Sequence, residues 1–180
     1  MKGTTMKTMA ALAMFGAVVI LAASTAAAED FTKADHKMLG SRIQSGQEHA
    51  QRQAQALYHY GQTQQPIPKD DAKEMLATMK RELAAADKAL AKLKVDVEKN
   101  KDAVALIDSI KKHHANAHEQ CGMAEEACSK PDTDKVVVGD CCSEMYFELE
   151  AAKEETAKLL KMLKIEKLET PKKPVPKKAK

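Results

Sequence analysis

The chain has 180 residues, with 29 Lys and Arg against 26 Asp and Glu for a net charge of +3, and only 3% of it is aromatic. The positive excess sits at the two ends: Lys2 and Lys7 open the chain and five lysines fall in the last ten residues, so residues 29–170 hold 22 basic against 26 acidic groups, a net of −4. A body of that sign argues against nucleic acid as a partner, and its length of about 150 residues after the leader gives one domain room for a real core.

Residues 1–28 read as a signal peptide. Lys2 and Lys7 precede an apolar run from Met9 to Ala23, and Ser24-Thr25-Ala26-Ala27-Ala28 supply small residues for cleavage before Glu29. The run is too short for a membrane anchor, and no later segment is apolar enough to span a bilayer. The expected location is therefore outside the cytoplasm, periplasmic or extracellular, where paired thiols tend to oxidise.

The body, residues 29–169, reads as four helices at about 33–60, 70–98, 103–128 and 140–168. Thr32 is placed to cap the first, where Leu39, Ile43, Gly46, Ala50, Gln53, Leu57 and Tyr60 step by threes and fours. Gly61 offers a C-cap, and Pro66-Ile67-Pro68 forces extended backbone. The second helix has the cleanest stripe: Leu76, Met79, Leu83, Ala86, Leu90, Leu93 and Val97. Asn100 marks a tight connection and Asp102 is placed to cap the third helix, which lines up Ala103, Ile107, Ile110, His114, Ala117, Cys121, Ala124 and Cys128. Pro131 ends it, and a loop through Val136-Val137-Val138-Gly139 leads to a cap at Asp140. The fourth helix puts Cys142, Met145, Leu149, Ala152, Thr156, Leu159 and Leu163 on one face. The fold class is all-α: an antiparallel up-down-up-down four-helix bundle of helices roughly 40 Å long. Residues 170–180, with three prolines and five lysines, read as a disordered basic tail. It reads first as a solvated tail, and its functional reading is weak electrostatic contact with an anionic envelope surface.

Up-down-up-down order gathers the unusual residues at one end of the bundle. His114 and His118 are four apart on the third helix and Cys121 follows three later, the spacing by which a helix presents ligands. With Met75, Met79 and Met145 in support, the set offers imidazole, thiolate and thioether, which suit copper or zinc. The expected function is metal buffering or sensing without catalysis. Cysteine chemistry points elsewhere. A bridge from Cys128 to Cys141 or Cys142 would close a loop of about 13 residues, contributing roughly 3 kcal/mol in the chain-entropy model. A second bridge from Cys121 requires the third helix to unwind after Gly122, since Cys121 and Cys128 lie about 10 Å apart along a regular helix. The alternative function is accordingly a disulfide-stabilised structural or protein-interaction module of the cell envelope with no metal, its partner surface formed by Tyr58, Tyr60, Tyr146 and Phe147. That surface requires the four side chains to be exposed and contiguous.

Enzyme signatures are absent. The chain has no Cys-x-x-Cys-His, no His-Glu-x-x-His, no Glu-x-x-His on a helix, no Gly-rich phosphate loop and no Gly-x-Ser-x-Gly elbow. A non-enzyme is expected.

Overall fold

The structure, a computed structural model, describes residues 7–63, 67–130 and 132–165, with side chains from residue 33 onward. The signal-peptide side chains and the basic tail lie outside the described residues. The chain divides into two units, Met1–His36 and Lys37–Lys180. The second holds the four-helix body.

Helix α1 spans Lys7–Gln62, α2 Lys69–Asp96, α3 Lys101–Ser129 and α4 Lys135–Met162. Among the described residues there is no strand, and no helix is long and apolar enough to cross a membrane. Helix α1 begins before the start that Thr32 suggested. Helix α3 is capped by Asn100, whose side chain accepts from the Ala103 amide at 3.1 Å, rather than by Asp102. Helix α4 starts at Lys135 because Asp134 Oδ1 accepts from the Val136 and Val137 amides at 3.0 and 3.3 Å. The stretch Val136–Gly139, expected as a loop, therefore forms the first turn of α4. The far end closes earlier than 168: Ile165 N donates to Leu160 O at 2.9 Å and Lys164 N to Lys161 O at 3.2 Å, with Lys164 at φ 54°. Those two bonds with a left-handed residue between them are a Schellman ending.

The helices run antiparallel in sequence order around a ring. On α1, a Cβ at Gly40 would touch Leu160 and one at Gly61 would touch Lys135 O at 3.3 Å, so α1 and α4 run in opposite directions. Lys80 and Lys94 on α2 pair with Glu125 and Asp108 on α3. Ser109 and Asn116 on α3 donate to Glu155 and Glu148 on α4. Gly61 is thus a point of close helix approach inside α1, not its cap. Gly46 is another, packed onto α2 at Glu82 and Ala86.

The stripes read from α2, α3 and α4 are buried almost as written. They split into two apolar clusters. One holds Leu57, Leu76, Met79, Leu83, Met145, Leu149 and all four cysteines; the other holds Ile43, Leu90, Leu93, Ile107, Ile110 and Leu159. Between them lies a polar layer containing Gln47, His114 and Thr156, each with no exposed surface.

The glycine contacts yield opposite expectations for two substitutions. Gly46→Ala would place its Cβ 2.8 Å from the Glu82 carbonyl oxygen, a backbone atom that yields only if α1 and α2 separate. Overpacking of this kind costs about 1–3 kcal/mol, more than the ~1 kcal/mol gained in helix propensity. Gly122→Ala meets nothing within 4 Å and should stabilise by up to ~1 kcal/mol. Urea unfolding followed by circular dichroism measures both signs.

Candidate functional site

His114 sits on the buried stripe of α3 because its neighbours Ile110, Ala117 and Cys121 pull that face into the core. Its ring is satisfied on both sides. Nδ1 lies 2.7 Å from Asp87 Oδ1 on α2, and Nε2 lies 3.0 Å from Gln47 Nε2 on α1. Gln47 Nε2 also donates to Thr156 Oγ1 on α4 at 2.9 Å. Burial alone would raise the Asp87 pKa, but the hydrogen bond with His114 and the proximity of both histidine rings outweigh it and hold the carboxyl well below the usual range. Asp87 therefore accepts from His114 Nδ1–H, and Gln47 Nε2 donates to His114 Nε2. Both amide hydrogens of Gln47 are spent and its Oε1 is buried without a partner.

The histidines expected as ligands thus converge on a carboxylate. His118 Nε2 stands 3.7 Å from Asp87 Oδ2, an ion-pair distance beyond hydrogen-bond reach. Cys121, the third member of that run, turns its thiol to the Leu76 carbonyl on α2 at 3.6 Å. Met79 and Met145 are buried in the cysteine-end cluster, with Met75 packed against it. Among the described residues no group of three or more His, Cys, Asp or Glu is placed to hold a metal ion.

The expected disulfides are not formed: Cys121, Cys128, Cys141 and Cys142 are free and buried. Helix α3 continues through Gly122 to Ser129, so Cys121 and Cys128 keep their separation of about 10 Å. Cys141 and Cys142, adjacent on α4, diverge by about 100° around its axis. Burial pushes the Cys121 thiol up to about 11 against the pull of Lys80. It pushes Cys142 up to about 12, with Cys141, Cys128 and Cys121 adding to the rise. Cys128 and Cys141 are raised in the same way, burial first. Four thiols therefore pack as small apolar side chains, with neighbouring cysteines adding to the rise at Cys128 and Cys142.

The aromatic residues separate. Tyr58 from α1 and Tyr146 and Phe147 from α4 line one groove of about 230 Å³, with Cys142 also in its lining. The Tyr146 and Phe147 rings meet edge-on at 5.9 Å, and Phe147 is 64% exposed. Tyr60, which like Tyr58 packs half-buried against the core cluster, is not part of that groove's lining.

Sequence reasoning missed Asp87 and Gln47. The signal for Gln47 was present: Ile43, Gln47, Ala50, Ala54 and Leu57, all buried, step by four and three, but the polar member hid the pattern. A second cluster was also missed, in which His113 Nδ1 lies 2.6 Å from Glu148 Oε2 and Asn116 donates to the other oxygen at 3.0 Å. Burial raises the Glu148 pKa less than these two bonds lower it, so its net shift is downward. Compared with protein-family models, curated proteins and solved structures, the chain matches none.

The depressed Asp87 carboxyl fixes a pH dependence. Its stabilisation is fully present above the unfolded-state pKa of about 4 and is lost as pH falls towards the lower folded-state pKa. Asp87→Asn should cost about 1–3 kcal/mol at neutral pH, the range for leaving buried donors poorly matched. It should also flatten the loss of stability of the native protein below about pH 4. Urea midpoints of both proteins from neutral pH into acid would reveal parallel slopes if Asp87 were not coupled to folding.

Proposed function

We propose that this is an exported four-helix bundle that binds a soft transition-metal ion, copper(I) before zinc, through sulfur at its cysteine end, for buffering or sensing rather than catalysis. The observation that carries the reading is the collection of four unbridged cysteines with Met79 and Met145 in a single apolar cluster. Thiolate and thioether donors in a dry site favour copper(I) and zinc over hard cations. Export rests on the leader in residues 1–28, with its basic start, apolar run and small-residue end.

The ligand set moves away from the histidines. His114 has both nitrogens in the polar layer, so coordination there would break bonds that join the helices. Sulfur is unencumbered except for its protons. Metal must displace those protons, with the Cys121 and Cys142 thiols starting at about 11 and 12, so affinity rises with pH as protons are released. Copper(I) accepts two thiolates, whereas zinc calls for four tetrahedral ligands. A pair demands less movement of α3 and α4 than a cage does.

The alternative, an interaction module without metal, draws on a different observation: Tyr58, Tyr146 and Phe147 share one groove. Native intact mass of the protein from the exported fraction, purified without reductant or chelator, separates the two. The metal reading expects a copper adduct with at least two thiols free; a metal-free mass lighter by four hydrogens, marking two disulfides, overturns it. Copper(I) should also raise the melting temperature. The Cys128→Ser, Cys142→Ser double variant should lose that rise and His118→Ala should keep it.

A further inference from the structure

Across the α3–α4 seam, His113 stands between two carboxylates of α4, Glu148 and Glu155. Its Nδ1 lies 2.6 Å from Glu148 Oε2, and Asn116 donates to Glu148 Oε1 at 3.0 Å. A carboxylate held in this way accepts, so Nδ1 carries the proton and the neutral form of the ring keeps a lone pair on Nε2. Nε2 is 3.9 Å from Glu155 Oε2. That oxygen is buried and accepts no hydrogen bond among the described residues, while its companion Oε1 accepts from Ser109 Oγ at 3.0 Å. Two acceptors are therefore brought together beyond hydrogen-bond reach, and a cation shared between them satisfies both.

We propose that His113 Nε2 and Glu155 Oε2 are the two protein ligands of a divalent metal site of the zinc class on the α3–α4 seam. The spacing fits. Zinc lies about 2.0–2.2 Å from either donor, so a tetrahedral angle brings the pair to about 3.4 Å, and an approach of roughly half an ångström by the Glu155 side chain completes it. The surroundings fit as well. A metal-binding histidine characteristically donates its other ring N–H to a carboxylate, which fixes its tautomer and orientation; Glu148 does this for His113, and Ser109 steadies the ligating carboxylate. On α4 the residues one turn from both glutamates are Ala151 and Ala152, so no long side chain crowds the space between them. The His113 and Glu155 side chains are 27% and 22% exposed, so an ion enters from solvent without the bundle opening. With the ring neutral, two carboxylates leave the group negative, offset in part at Glu148 by Lys112. Two protein donors are fewer than a structural zinc site has, so binding here is weak and exchangeable, with water in the remaining positions. His113 and Cys121 are eight residues apart, about 12 Å along α3, and nitrogen and oxygen donors suit zinc better than copper(I). The site is thus separate from the sulfur cluster and does not rest on the copper reading.

The test is a zinc titration of the full chain followed by nitrogen-15 NMR of the histidine rings, a readout that reports on one ring at a time and that metal at the cysteines does not mimic. Zinc should shift His113 Nε2 while leaving both nitrogens of His114 in place. Glu155→Gln should abolish the His113 shift. Glu148→Gln, which removes the anchor of the ring, should weaken zinc binding at His113 by about 10–100-fold. Both substitutions keep side-chain size at half-buried positions, and unchanged helical circular dichroism checks that the bundle is intact. A His113 Nε2 that keeps its proton and does not move in millimolar zinc overturns the inference and makes the 3.9 Å contact an imidazolium–carboxylate ion pair. A zinc shift that survives Glu155→Gln overturns it equally.

Discussion

The 2.7 Å contact between His114 Nδ1 and Asp87 Oδ1 joins α3 to α2, and the other nitrogen of the same ring joins α3 to α1 through Gln47. Gln47 in turn reaches Thr156 on α4. One side chain from each helix thus enters a single hydrogen-bonded layer. Apolar packing is tolerant of small slips, because a leucine displaced by part of a turn still meets other carbon. A buried donor or acceptor is not: left unmatched, it costs about 1–3 kcal/mol. Sliding any helix by one turn would strand at least two groups of this layer. The apolar clusters on either side hold the bundle together and the polar layer sets its register, as single polar positions do in coiled coils.

That layer also separates two halves of different chemistry. The half with Ile43, Leu90, Leu93, Ile107 and Leu159 contains only hydrocarbon. The other half has cysteine and methionine where hydrocarbon would serve for packing alone. Sulfur in such surroundings is poised in opposite senses. Burial keeps the thiols protonated and poor nucleophiles, yet the same dry, soft-donor environment favours a thiophilic ion once the protons have gone. Of the histidines beside this half, His113 and His114 hold their Nδ1 atoms against the Glu148 and Asp87 carboxylates.

Helix number, order and core stripes were legible because each helix repeats apolar residues at three-four spacing over many turns, and α2 shows it best, with Leu76 to Leu93 buried. The starts of α3 and α4 were misplaced by a few residues because two acceptable caps stood close together. Asn100 prevailed over Asp102, and Asp134 over Asp140, each by reaching amides that open a longer helix. The site was less legible. A histidine on a buried stripe has the same spacing whether it faces a metal or a carboxylate, and the deciding residue, Asp87, is on another helix. Gln47 was masked by the habit of counting only apolar positions. The free cysteines were illegible for a geometric reason: spacing alone does not reveal that α3 stays regular through Gly122.

Helix α1 explains why an open groove arises where it does. Its contact face is built from small residues, with Gly46 against α2 and Gly40 and Gly61 against α4, so its neighbours approach closely at those points. Tyr58 lies just before Gly61 on the side where α1 meets α4, and Tyr146 faces it from α4. Both rings are half-buried, Tyr58 against the cysteine-end core, and together they wall the groove beside that glycine contact. Phe147, next in sequence and turned outward, extends the rim instead of filling the gap. The groove thus lies beside a seam that glycine draws close at either end, and its aromatic walls, Phe147 above all, leave apolar surface facing solvent.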